Sequence, residues 1–199
     1  MERVLKTAPV NEPISLTQTK LYLRIEPTDV AEDTLLNSLI SAARAWVETD
    51  TDRALITQTW YLYLSFFPLV DYIELPFGTL QSIIAVKYTD SNNNVHTISA
   101  SDYTVDTKSY VPKIQLNYGV SWPTATFSAN NPIEIEAEVG YGLNPSDVPE
   151  PLQAACLQLV SHWYENRHIM ADKIQRVPSA SHIPMVVPAL IAQYKYHRI

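Results

Sequence analysis

The 199-residue sequence predicts an α+β fold, a small α-helical bundle with an inserted antiparallel β unit. Three observations predict it. Apolar residues recur at three- and four-residue steps over 33–47, the period changes to two between Leu55 and about position 140, and the helical period returns after Val148. The bundle is expected to hold two N-terminal helices, one long C-terminal helix and a short tail helix. Residues 1–54 and 141–199 then form the helical domain, and 55–140 the β unit.

Residues 1–14 read as extended, with Pro9, Pro13 and little periodicity. Ser15 to Arg24 reads as a short helix: Ser15 can cap it, Gln18 completes capping-box spacing, and Leu16, Leu21 and Leu23 supply an apolar side. Glu26-Pro27 ends it, because the residue before proline avoids helical geometry. In the second helix Asp29 and Glu32 have N-cap and N3 spacing, and Leu35, Leu36, Leu39, Ile40, Ala43, Trp46 and Val47 make one broad apolar stripe.

Strands are expected at Thr57–Leu64, Tyr72–Leu75, Ser82–Tyr88, Val95–Ile98, Tyr103–Asp106 and Lys113–Leu116, all rich in aromatic and β-branched residues. Asp90–Asn94 is a hairpin-type turn. Ile133–Val139 alternates apolar and acidic residues without a break. Prolines at 149 and 151 suit a helix's first turn, and Leu152, Cys156, Leu159 and Trp163 line one face of a helix ending near His168. A last short helix is expected after Pro188, through Tyr194.

Composition excludes several functions. One cysteine, Cys156, rules out an intrachain disulfide and a cysteine-based metal cluster. The N-terminus lacks the apolar core of a signal peptide, and no apolar run approaches the ~20 residues of a membrane span, so neither secretion nor a membrane partner is expected. A formal net charge of −7 argues against a basic nucleic-acid-binding surface. The charge is uneven: beyond position 165, Arg167, Lys173, Arg176, Lys195 and Arg198 oppose only Asp172.

The residues show no active site. His96, His162, His168, His182 and His197 never pair at a zinc-binding helical spacing, and four glycines make no phosphate loop. Cys156 and Ser161 each neighbour His162 on one helix, whereas nucleophilic catalysis needs a base from another element. No catalytic residue, metal or cofactor is therefore expected. Glu134, Glu136 and Glu138 share one strand face at spacings of about 7 Å. Three readings stand: a solvated sheet face, a calcium site lacking nameable partners, or a channel-facing surface that repels passing DNA. The tail, Val186–Ile191 followed by Tyr194–Ile199, is apolar, basic and at a free end; it either packs on its own domain or docks on another protein.

Several phrases, in this order and spacing, resemble the phage head–tail connector (head-completion adaptor) proteins. They are Ile14–Arg24, Asp33–Val47 with Ala42-Ala43-Arg44-Ala45-Trp46-Val47-Glu48, Arg53–Trp60, Val148–Ala155, Trp163–Arg167 and Val187–Ile191. The resemblance covers both helical ends and carries no motif in the β unit. It implies a non-enzymatic virion protein at the head–tail junction, made in the cytoplasm of the bacterial host. The implied homo-oligomer is a dodecameric ring beneath the portal protein, extending the channel for double-stranded DNA and offering a platform to a tail-completion, stopper or tail-terminator protein. Ring packing then falls to helices 32–50 and 149–168 (Leu36, Ile40, Trp46, Leu159, Trp163). Portal docking falls to 187–199 (Val187, Pro188, Leu190, Ile191, Tyr194, Tyr196, Arg198), with removal of that segment expected to leave a folded protein. The alternatives are another neck or tail-completion protein, or a non-viral β-type binding module.

Overall fold

The computed structural model describes residues 1–109, 111–166 and 184–195. The chain divides into two compact units, one built from 1–10 and 57–141, the other from 11–56 and the described residues from 142 onward. The expected α+β organisation is present, with one change of boundary. The first residues, expected as an extended part of the helical domain, belong to the β unit, because Glu2–Thr7 forms a strand, β1, on the edge of its main sheet.

The β unit carries a five-stranded antiparallel sheet in the order β1-β2-β8-β4-β5, with β2 Gln58–Leu64, β4 Leu80–Thr89, β5 Val95–Thr97 and β8 Ile133–Val139. A three-stranded sheet has the order β3-β7-β6, from Tyr72–Glu74, Lys113–Leu116 and Tyr103–Asp106. The alternation in β8 works as sheet geometry demands. Ile133, Ile135, Ala137 and Val139 are buried with Leu62, Leu64, Leu80 and Val86, and the glutamates take the opposite face. The Asp90 turn closes β4 onto β5: its Oδ1 accepts from the amides of Asn92 and Asn94 at 2.8 and 2.9 Å, and Asn93 takes a left-handed φ of 64°. Phe67 stacks on Trp122 with ring centroids 4.9 Å apart and meets Tyr88 and Phe127 edge-on, which fixes the 65–72 loop.

In the helical unit α1 spans Leu16–Leu23, capped by Ser15 Oγ, which accepts from the Gln18 amide at 3.1 Å. Its expected apolar side is not what it buries. Leu21 is exposed and the buried positions are Thr19 and Lys20. Lys20 is 4% exposed because its ammonium is compensated: Asp33 Oδ1 forms an ion pair with it at 2.6 Å, and the carbonyls of Asp29 and Pro27 accept hydrogen bonds from it at 2.7 and 3.4 Å. That same clamp organises the connection to α2, Asp33–Thr51, which begins later than Asp29 capping would give. Asp29 instead turns its side chain back to the Ala31 amide at 3.0 Å, an Asx-type bond that competes with helix formation.

Helix α2 buries Leu36, Ile40, Ala43, Val47 and Thr51 against α3, Glu150–Glu165, which contributes Leu152, Ala155, Cys156, Leu159 and Val160. Helix α4, Val186–Ile191, starts before Pro188 rather than after it, since a proline in the first turn removes no intrahelical bond. It packs on α3 through Val187 and Ile191 and runs into a 3₁₀ turn at Ala192–Tyr194.

Candidate functional site

The chemistry-bearing residues remain apart. Cys156 has no exposed surface, and burial pushes its thiol up to about 12, so it is core and no nucleophile. His96 lies on the Asp90 turn, with Nε2 3.0 Å from Asp90 Oδ2 and its ring stacked on Tyr88. That contact, with the turn amides, holds the Asp90 carboxyl well below the usual range. His162 lies on α3, while His168, His182 and His197 fall outside the described residues. Among the described residues no three His, Cys, Asp or Glu side chains are grouped to hold a metal ion.

The acidic row is brought together as the strand period requires, but each carboxylate has a partner. Glu134 meets Lys87 at 3.5 Å and accepts from the Tyr63 hydroxyl at 3.3 Å. Glu136, buried, pairs with Lys6 at 2.5 Å, and Glu138 accepts from Ser82 Oγ at 3.2 Å. The Lys6 ammonium lies over the Tyr61 ring at 5.0 Å, and Glu136 and Tyr61 hold it protonated beyond its ordinary range. The face is thus a cross-strand polar network with three carboxylates and two ammonium groups.

The residues expected at subunit contacts divide in two. Leu36, Ile40 and Leu159 have essentially no exposed surface and pack inside their own unit, which leaves them nothing to offer a neighbour. Trp46 and Trp163 are half-buried and keep part of their rings outside. The tail segment divides likewise. Val187 and Ile191 are fully buried, Leu190 and Tyr194 are half-buried, Pro188 is exposed, and Tyr196 and Arg198 lie outside the described residues. Two polar ties reinforce the docking of this segment on its own unit: Arg53 Nε donates to the Tyr194 carbonyl at 2.5 Å, and Lys195 pairs with Asp50 at 2.8 Å. Of the two roles open to the tail, internal packing accounts for Val187 and Ile191.

Two surfaces escaped sequence reasoning. One is the exposed edge strand β1. The other is an apolar end of the β unit, where Phe66, Leu69, Val70 and Tyr72 are exposed beside a cleft of about 420 Å³ lined by Met1, Leu64, Pro68 and Ile73. The Trp122 indole, donating to the Val70 carbonyl at 2.9 Å, holds this loop in place. The run Ser65-Phe66-Phe67-Pro68-Leu69-Val70, apolar yet interrupted by proline, was the available signal.

The chain matches a chain in the neck of an empty gene transfer agent (GTA) particle, computed with C6 symmetry, at TM-score 0.82 and 25% identity, covering 100% of this chain and 97% of that one. A chain in the virion of a native GTA particle matches at TM-score 0.78 and 25% identity, over 100% and 97% of the two chains. A third, in the neck of a native GTA particle computed with C12 symmetry, has TM-score 0.66 and 22% identity, over 98% and 97%, and shows the shared fold. No curated protein sequence matches. Residues 13–117, just over half of the chain, match the model of the phage gp6-like head–tail connector proteins, and the chain belongs to that structural family.

Proposed function

We propose that this chain is a head–tail adaptor that forms a ring in the neck of a tailed phage or GTA-type particle. The single observation that carries the proposal is the full-length likeness, at TM-score 0.82, to a chain of a GTA neck. Membership of the connector family supports it independently of the fold. The ring is a homo-oligomer of twelve copies, compatible with the sixfold symmetry of that neck. It acts as a passive structural part, assembled from subunits made in the host cytoplasm, and it performs no reaction.

The helical unit supplies the ring wall through the surface that its own packing leaves over. Trp46 and Trp163 belong to that surface, whereas Leu36, Ile40 and Leu159 hold α2 on α3 from within. Above the ring the portal protein receives the end of the chain. Val187 and Ile191 anchor that end on its own unit, and Pro188, Leu190, Tyr194, Tyr196 and Arg198 face the portal. Below it, the tail-completion, stopper or tail-terminator protein docks. The channel admits double-stranded DNA without holding it. Four of the basic residues, Arg167, Lys173, Arg176 and Arg198, lie outside the described part, whose side chains are strongly acidic in balance and repel phosphates. Glu134, Glu136 and Glu138 add to this balance only modestly, because Lys6 and Lys87 offset them.

Electron microscopy of particles assembled without this gene tests the reading. DNA-filled or leaking heads beside free, complete tails are the expected result. Normally joined particles would refute it.

A further inference from the structure

Among the described residues, the five-stranded sheet ends in two strands that have a strand neighbour on one side only, β1 and β5. Such edges are templates for pairing with another chain, and a protein must cover, charge or use them. Every residue of β1 and of β5 is exposed. Their directions matter more. All four pairings from β1 through β2, β8 and β4 to β5 are antiparallel, so β1 and β5 run the same way at opposite ends of the sheet.

In a closed ring each copy is related to the next by a rotation of ~30–60°, as twelve or six copies require. A rotation that small cannot reverse a strand, so only edges that run in the same direction can pair around a ring. An isologous β1–β1 pair would run antiparallel and would stop at two copies. The side chains agree with the topology. On the face that carries the glutamates, Val4 lies beside Tyr61 and Val95 beside Thr89, and both valines are left outside, 41% and 65% exposed. Each is an apolar β-branched residue at an outer edge of that face, at opposite ends of the sheet, where a partner strand would cover it. The edges of the three-stranded sheet also run in one direction, but β3 buries Ile73 and β6 buries Tyr103, leaving no matched apolar pair outside.

We propose that β1 of one copy pairs in parallel with β5 of the adjacent copy, so that the five-stranded sheet continues from subunit to subunit and brings Val4 beside Val95. The partner is a second copy of this chain, and the inference rests on the ring reading above.

The test is disulfide trapping in assembled particles. Within one subunit Val4 and Val95 are separated by four strand spacings, on the order of 19 Å, far beyond the ~7 Å limit for a disulfide. A bond between cysteines at these two sites therefore reports contact between copies, and the buried Cys156 stays silent. Particles carrying the double variant Val4→Cys/Val95→Cys, oxidised with copper phenanthroline, should give a ladder of covalent oligomers on a denaturing gel. Either single variant should give none. A double variant that enters particles but yields no ladder, or a covalent dimer from Val4→Cys alone, would overturn the pairing. Should the double variant fail to assemble, hydrogen exchange on the unaltered protein decides. Amides of 2–7 and 95–97 should exchange at least ~10-fold more slowly in particles than in the free subunit, and equal rates would overturn the proposal. Absence of the chain from the neck would defeat the ring reading itself, and this pairing with it.

Discussion

Removing residues 187–199 should strongly destabilise the helical unit, whereas the docking role that the resemblance implies for this segment predicts little change in stability. Val187 and Ile191 have no exposed surface, and each fully buried aliphatic side chain stabilises the fold by roughly 1.5–3 kcal/mol. Their loss costs about 3–6 kcal/mol before the Arg53–Tyr194 and Lys195–Asp50 ties are considered. Against a total stability of roughly 5–15 kcal/mol, that is a large share. With a urea dependence near 2 kcal/mol per molar, the unfolding midpoint should fall by about 1.5–3 M. Tryptophan fluorescence in a urea titration reads this directly, since Trp46 and Trp163 lie on the helices involved. A shift below about 0.5 M would show that α4 contributes little and that the burial argument is wrong. A shorter truncation, removing only 196–199, separates stability from docking. It keeps Val187, Ile191 and both polar ties in place and should weaken attachment to the portal.

The other expectations concern single side chains. Trp46→Ala or Trp163→Ala should each cost only about 1–2 kcal/mol in the free subunit, below the ~3–5 kcal/mol of a fully buried aromatic, because both rings are half-buried; denaturant titration of each variant checks this. Gly142→Ala should destabilise the turn before α3, since an added Cβ would meet Asp147 Oδ2 at 2.2 Å, where that carboxylate accepts from the Asn144 amide. A lowered melting temperature of the Gly142→Ala variant relative to the intact chain is the expected reading, and an unchanged one would refute the clash. Asp90 is an acid-limb residue. Its folded pKa is depressed, so its contribution is present above the unfolded value near 3.9 and is lost as pH falls through the folded value. The stability difference between Asp90→Asn and the intact chain should therefore shrink as the buffer is made more acidic than about pH 5. A difference growing toward low pH would contradict the sign.

Much of the fold was legible because one-dimensional patterns determine it. The β8 alternation and the α2 stripe fixed their own faces, and seven of the eight strands among the described residues fall where the period of two placed them. What was not legible depends on partners distant in sequence. Glu2–Thr7 has no strong period and becomes a strand only because β2 offers it an edge. Lys20 reads as a surface residue of a short helix, yet Asp33 and two carbonyls allow its burial in place of Leu21. The start of α2 moved because Asp29 could bond its own turn, a local competition that N-cap spacing alone does not resolve.

The candidate contact residues show the same limit more sharply. An apolar stripe on a helix records only that something covers it, and burial within the subunit satisfied that requirement for Leu36, Ile40, Leu159, Val187 and Ile191. Residues that await a partner are those the subunit's own packing failed to cover, and they are defined by subtraction from the folded structure. Trp46 and Trp163 survive the subtraction in part, and Val4, Val95, Phe66 and Leu69 emerge from it without any motif to mark them. The open edges of β1 and β5 go further, for they are properties of strand order and not of any residue. A ring that closes through them would need no conserved-looking signature at all, only an odd number of antiparallel strands and small apolar side chains at both ends.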